Sequence, residues 1–273
     1  MLGRSIALQA RYAELYRDYL ERGFDETLSK DDRENTFDVD WKYKHYYHAG
    51  SDAIRLMVNG LVQGLYQPPK TILDFPSGSG RVTRHLRSFF PDAKVVASDL
   101  YEFHFKFCGE TFGVETFQSK ENFDEIDFGQ KFDLIFSGSL LTHMPADLFK
   151  AALRMFSRSL TDSGIAVVTL HGRHVEYLHN NRWAIIERDR FVKAESEVQA
   201  SGFGYVNYTD GLMASWFTRQ ERYGVTLSRP HWTLKQLEDD YALRVLSYTE
   251  RAWDNTQDVV IFGKPGVNEW EKV

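Results

Sequence analysis

The chain is 273 residues long, 42% apolar and 15% aromatic, with a formal net charge of -6. That length and apolar content suffice for a large buried core near the upper size of one domain, and the acid excess argues against a surface that tracks nucleic-acid phosphates. A single cysteine, Cys108, excludes an internal disulfide and a cysteine zinc cluster; with no apolar signal core at the N-terminus and no apolar run of roughly 20 residues, the expectation is a cytoplasmic protein that does not enter a membrane.

Leu8, Tyr12, Leu15, Tyr16, Tyr19 and Leu20 recur at helical spacing over residues 5–23, and a second such pattern covers 52–66 and ends near Gly64. Between them lies a polar, charged stretch and then the aromatic run of residues 41–48, which reads as a lid. Residues 1–70 are therefore expected to form an N-terminal helical cap or lid.

Residues 71–83 read TILDFPSGSGRVT and residues 95–100 read VVASDL. Ile72, Leu73 and Phe75 make a short buried strand, Gly78 and Gly80 allow a tight turn, and Val82 and Leu86 begin a helical period. The bare backbone of such a turn admits a ligand, with the amides of the helix start facing it. Asp99 follows Gly80 by 19 residues and ends the next strand, where a carboxylate of a doubly wound sheet accepts both hydroxyls of a ribose. A helix then covers 103–112, a strand 114–118, and a buried strand 132–136 follows the Gly129 turn. Pro145 and Ala146 open a helix through Leu160, the turn Asp162-Ser163-Gly164 ends it, and 165–170 is a fifth strand. Strands alternating with helices imply an α/β, doubly wound, mostly parallel sheet covered on both faces. Residues 174–230 exceed what a connection needs and read as a substrate-side insertion with structure of its own. Last come a helix over 234–240 and an antiparallel hairpin of strands 243–251 and 259–262, turned at Asp254 and Asn255.

The turn lacks the third glycine of the G-x-G-x-x-G dinucleotide fingerprint, since Gly80 is followed by Arg81, Val82, Thr83 and Arg84. Asp74-x-x-x-Gly78-x-Gly80 instead resembles motif I of the class I S-adenosylmethionine-dependent methyltransferases, with Pro76 at the first glycine position. The resemblance spans about residues 71–264, and a tail of 265–273 follows. It implies a Rossmann-like seven-stranded sheet closed by the C-terminal hairpin, and S-adenosyl-L-methionine as cofactor. Motif I then comprises Asp74, Phe75, Pro76, Ser77, Gly78 and Gly80, with Asp99 as ribose acid and Leu100 against the adenine. Gln118 or Ser119 stands where the family often has an acid for the adenine amino group, and Ser137 and Gly138 lie beside the methionine moiety. Two alternatives remain open on the residues themselves: Asp74 as an acid capping the turn amides, and Leu100 as plain core.

His143, His171 and His231 are the candidate catalytic residues, with Arg173 and His174 near the second. His143 has packing at a helix start as its alternative role, and the spacing His171, His174, His179 leaves metal binding as a weak alternative. Residues 248–258, with the run Trp-Asp-Asn-Thr-Gln-Asp, resemble a stretch of bacterial methyltransferases associated with polysaccharide or glycosyl-transfer pathways. The expected function is in-line methyl transfer to a small-molecule or sugar-like acceptor. The alternatives are a non-catalytic cofactor binder, and an aminopropyltransferase-like enzyme that would use Asp124, Glu125 and Asp127 to hold a polyamine.

Overall fold

The computed structural model describes residues 2–32, 45–64, 66–182, 184–208 and 222–265. Its strands in chain order are β1 (Thr71–Asp74), β2 (Lys94–Asp99), β3 (Glu115–Gln118), β4 (Phe132–Ser137), β5 (Leu160–Leu170), β6 (Phe203–Asn207), β7 (Gly224–Ser228), β8 (Arg244–Trp253) and β9 (Gln257–Gly263). Seven of them form one sheet in the order β3-β2-β1-β4-β5-β9-β8. The pairs among β1 to β5 are parallel and β9 is antiparallel to both neighbours.

Side-chain alternation decides what each face of this sheet meets. Ile72, Leu134, Val167 and Ile261 point into a core shared with α1 (Leu2–Arg22), α2 (Tyr47–Gln63) and α3 (Thr83–Phe89). Leu73, Ile135, Val168 and Val260 point into the opposite core, beneath α5 (Ala146–Ser159). Helix α4 (Glu102–Phe112) connects β2 to β3. Because both faces are covered, the central strands read as continuous apolar runs. β5 starts five residues earlier than the sequence suggests: Phe132 pairs with Leu160 and Leu134 with Ile165, so the turn residues are absorbed as an irregularity in the strand. Gly164 fits there because a Cβ would meet the Phe132 carbonyl at 2.6 Å. At the hairpin, Asp254 and Asn255 both take left-handed φ, 50° and 53°, a conformation their short polar side chains tolerate.

The insertion is ordered in its described part. Helices α6 (Arg173–Asn181) and α7 (Arg188–Ser201) precede the two-stranded antiparallel sheet of β6 and β7. Phe191, Ala194, Val198, Val206, Val225 and Leu227 give it a small core of its own, and α8 (Pro230–Lys235) leads back to the main sheet. Trp216 and Phe217 lie outside the described residues.

The N-terminal helices are fastened at two places, one to the sheet and one to α3. Trp253 Nε1 donates to the Ala49 carbonyl at 2.9 Å, and the Asp254 N–H donates to Asp52 Oδ2 at 3.0 Å. At the other place, the Tyr19 hydroxyl lies 2.7 Å from His85 Nδ1. Of the aromatic run read as a lid, residues 41–44 lie outside the described residues. Tyr46 and Tyr47 sit at the start of α2, are buried, and lie against the Arg84 guanidinium.

His85 is fully buried, and its Nε2 meets no hydrogen-bond partner among the described residues. Burial, with Arg84 beside it, lowers its pKa from 6.5 to about 3. The unfolded chain therefore binds a proton here that the folded chain refuses, and this contribution is complete above pH 6.5 and falls away as the pH drops towards 3. Relative to a His85→Gln variant, the wild type is expected to lose about 2 kcal/mol of stability between pH 7.5 and about pH 5, at about 1.4 kcal/mol per pH unit. Urea unfolding of both proteins at the two pH values checks this; parallel losses would show that His85 does not titrate across folding.

Candidate functional site

The carboxyl ends of β1, β2 and β4 open on a cleft of about 790 Å³, a size suited to a nucleoside-bearing ligand. The topology dictates its place, because β1 and β4 are neighbours whose connections leave in opposite directions along the sheet. Phe75 and Pro76 of the first turn, Asp99, Leu100 and Tyr101 after β2, and Ser119 after β3 form one side. Leu140, Met144, Leu148 and Ala151 form the other, and Tyr223 and Arg222 reach in from the insertion.

Asp99 is 6% exposed and lines this cleft. Its Oδ2 accepts from the Gly78 N–H at 2.9 Å and its Oδ1 from the Tyr101 N–H at 3.0 Å. Burial raises the pKa of the carboxyl, and the His104 ring and these amides oppose the rise. These amides orient the carboxylate, whose oxygens keep further lone pairs with which to accept.

The other motif I residues work behind the surface. Asp74 is buried, and its Oδ2 accepts from the Thr83 hydroxyl at 2.6 Å, so it ties β1 to the start of α3. Burial lifts its pKa to about 7, with the nearby Asp99 adding to the rise. The Ser77 N–H donates to the Ser98 carbonyl. Gly78 has φ +51°, and a Cβ there would meet nothing within 4 Å. Gly80 has φ +80°, and a second feature calls for glycine there: a Cβ would strike Phe112 at 2.3 Å and Cys108 at 3.1 Å. The space beside the Gly80 Cα is thus filled by α4, in a close turn-to-helix packing.

After β3, Ser119 faces the cleft and Gln118 is exposed and outside it. Ser137 is fully buried, its Oγ without a partner among the described residues, and Gly138 leaves room for the Phe136 and Trp253 rings at 2.9 Å. The residues that the sequence reasoning missed are Tyr101, His104, Phe123 and Met144, all lining the cleft, whereas Tyr223 is one of the insertion aromatics that could be expected to wall an acceptor pocket. Those four come from three separate segments, and the signal that carried some warning was Phe123 within an otherwise polar stretch, residues 120–125.

The candidate catalytic histidines separate. His143 and His171 meet edge to face at 5.8 Å, and His143 stacks on Tyr223 at 4.6 Å. His143 Nδ1 lies 2.8 Å from the Gly224 carbonyl, which only accepts, so this nitrogen carries the proton of the neutral ring. Burial lowers the pKa values of His143 and His171 to about 4 and about 3, and both are neutral at pH 7. His231 is exposed and packs at Gly202, the end of α7, outside the cleft lining. His174 stacks on Tyr177, and His179 stacks on Phe191 while its Nδ1 accepts from the Ile185 N–H. Arg173 pairs with Glu250 at 3.0 Å.

The hairpin run braces the floor of this region. Gln257 Nε2 donates to Ser139 Oγ at 2.8 Å, and its Oε1 accepts from the Thr169 hydroxyl at 2.6 Å. Ser139 in turn holds φ 55° with its N–H on Thr169 Oγ1, a left-handed residue kept in place by surrounding bonds. Asp258 accepts from the Tyr248 hydroxyl and the Arg251 N–H.

Residues 72–164 match a family model described as a methyltransferase domain. That segment builds β1 to β4 and most of the cleft. The match agrees with the cofactor expected from the sequence, S-adenosyl-L-methionine. No curated protein matches the sequence. Among solved structures, DesVI of Streptomyces venezuelae is similar at 16% identity and TM-score 0.56, over 87% of this chain and 99% of that one. An S-adenosylmethionine-dependent methyltransferase of Clostridium acetobutylicum ATCC 824 is similar at 15% identity and TM-score 0.53, over 84% and 97%. The glycopeptide N-methyltransferase MtfA is similar at 12% identity and TM-score 0.53, over 80% and 90%. These likenesses establish the fold, the class I Rossmann-like arrangement with its antiparallel hairpin.

Proposed function

We propose that the protein is an S-adenosyl-L-methionine-dependent methyltransferase acting on a small-molecule or sugar-like acceptor. The observation that carries this is the buried Asp99 carboxylate, set in the cleft by the Gly78 and Tyr101 amides with lone pairs left for a ribose. In this reading Leu100 and Phe123 enclose the adenine, and Pro76 and Leu140 flank the methionine end. Asp74, Ser77, Gly80, Ser137 and Gly138 support that surface from behind.

When bound, the cofactor supplies an activated methyl on a sulfonium. The chain's part is then to hold a nucleophilic atom in line and to keep water out, a positioning effect worth several kcal/mol. Tyr223, with Tyr208 and the neutral His143 and His171 behind it, forms a wall fit for an uncharged acceptor. The sugar-like assignment is supported by the resemblance of residues 248–258 to the polysaccharide-associated enzymes. An aminopropyl reading is disfavoured because two of the acids at the cleft are matched by arginines: Asp124 to Arg154 at 2.7 Å and Asp147 to Arg222 at 2.5 Å.

Incubation of the protein with methyl-labelled cofactor and a fractionated metabolite extract tests the proposal. A product carrying the label, heavier than its precursor by one methylene, is expected. Binding of S-adenosylhomocysteine without transfer to any fraction would favour the non-catalytic binder, and absence of binding would overturn the cofactor reading itself.

A further inference from the structure

We infer that His104 is a second ribose-binding residue, donating to the sugar hydroxyls whose protons Asp99 accepts. The inference rests on the reading of the cleft as an adenosine site.

A ribose hydroxyl that donates to Asp99 retains oxygen lone pairs, and in a half-enclosed cleft those lone pairs need a donor. Two backbone donors beside the cleft are committed: the Gly78 and Tyr101 N–H groups both point to Asp99 itself. His104 supplies the missing type of group. It lies in the first turn of α4, is half-buried, and lines the same cleft as Asp99 and Tyr101. Its Nδ1 lies 2.7 Å from Ser79 Oγ in the motif I turn. A serine hydroxyl can donate to that nitrogen, and the neutral ring then carries its proton on Nε2 as a donor. The Phe103 ring, 4.2 Å away, and the Tyr101 ring, 6.1 Å away, restrict the imidazole's orientation. Ser79, His104 and Asp99 thus join the turn, α4 and the end of β2 around one niche, shaped for a vicinal diol that must both donate and accept.

Calorimetric binding of S-adenosylhomocysteine, adenosine and dideoxyadenosine to the full chain tests this, because dideoxyadenosine lacks both ribose hydroxyls. His104→Ala is expected to weaken S-adenosylhomocysteine and adenosine about tenfold, the scale of one hydrogen bond, and to leave dideoxyadenosine unchanged. Ser79→Ala, which removes the group that orients the ring, is expected to weaken the same two ligands by a smaller factor. Equal affinity of wild type and His104→Ala for S-adenosylhomocysteine would overturn the inference. So would an equal loss for all three ligands, which would mark general damage to the cleft. Failure of the wild type to bind S-adenosylhomocysteine would defeat the underlying cofactor reading instead, so the two failures are distinguishable.

Discussion

Replacing Asp99 by alanine is expected to weaken S-adenosylhomocysteine binding by about 3 kcal/mol, roughly 150-fold. Hydrogen bonds to a charged group contribute about 1.5 to 3 kcal/mol each, and two that share one ribose do not add fully. The loss has a second source within the protein. Without the carboxylate, the Gly78 and Tyr101 amides lose their acceptor, and the turn that lines the cleft is no longer drawn to the end of β2. The fold should survive: Asp99 sits at a strand end, and burial already disfavours its charged form. Asp74, whose pKa of about 7 is raised in part by Asp99, should become easier to ionise in the variant. Calorimetry at pH 8, with a thermal melt to establish folding, measures the effect. An affinity within threefold of wild type in a folded variant would remove Asp99 from the ribose.

The sheet was legible because burial on both faces leaves a mark in sequence. Ile72 and Leu73, or Val167 and Val168, are both apolar although they point to opposite cores, and such doubled runs separated by helical periods specify a parallel sheet. The acid ending β2 and the turn after β1 were legible because few residue types perform those tasks. Beyond them, the same residue type serves unlike ends. Gly78 and Gly80 are two positions apart, yet one faces open space and the other accommodates Phe112. Likewise His143 and His171 converge while His231 packs at the end of α7. Nothing in local composition distinguishes these cases, since they are decided by which strands become neighbours. The lining by His104, Phe123 and Met144 was hidden for the same reason: each lies on a different connection, and only the sheet order brings those connections to one edge. The early start of β5 was masked by a turn-forming triplet that the strand absorbs.

The largest stability effect is expected at Arg84, where substitution by methionine should cost about 4 kcal/mol. Arg84 is 1% exposed, and its guanidinium donates only to carbonyls in the bonds described here. Nε reaches the Gly80 oxygen at 2.9 Å and Nη2 the Ser79 oxygen at 3.4 Å, both in the motif I turn. Nη1 reaches the Asp25 and Thr27 oxygens at 2.9 and 3.0 Å, in the segment that follows α1. The Phe112 ring at 4.9 Å and the Tyr46 ring at 5.4 Å lie against the guanidinium and add cation-π attraction that strengthens with desolvation. Methionine fills much of the volume but supplies no donor, so the buried Ser79 and Gly80 carbonyls lose a partner at about 1 to 3 kcal/mol each, with part recovered by relaxation, and the tie to the carbonyls of the exposed Asp25 and Thr27 is lost as well. Lysine should rescue little, because one ammonium cannot span a fork that serves both segments. The turn anchored by Arg84 is the one that presents Gly78 to Asp99, so cofactor affinity should fall along with stability. Urea unfolding of the wild type and both variants measures the loss as a lower midpoint at unchanged slope. A cost below about 1 kcal/mol for methionine would mean that water reaches these carbonyls and that the guanidinium does not tie the N-terminal segment to the turn.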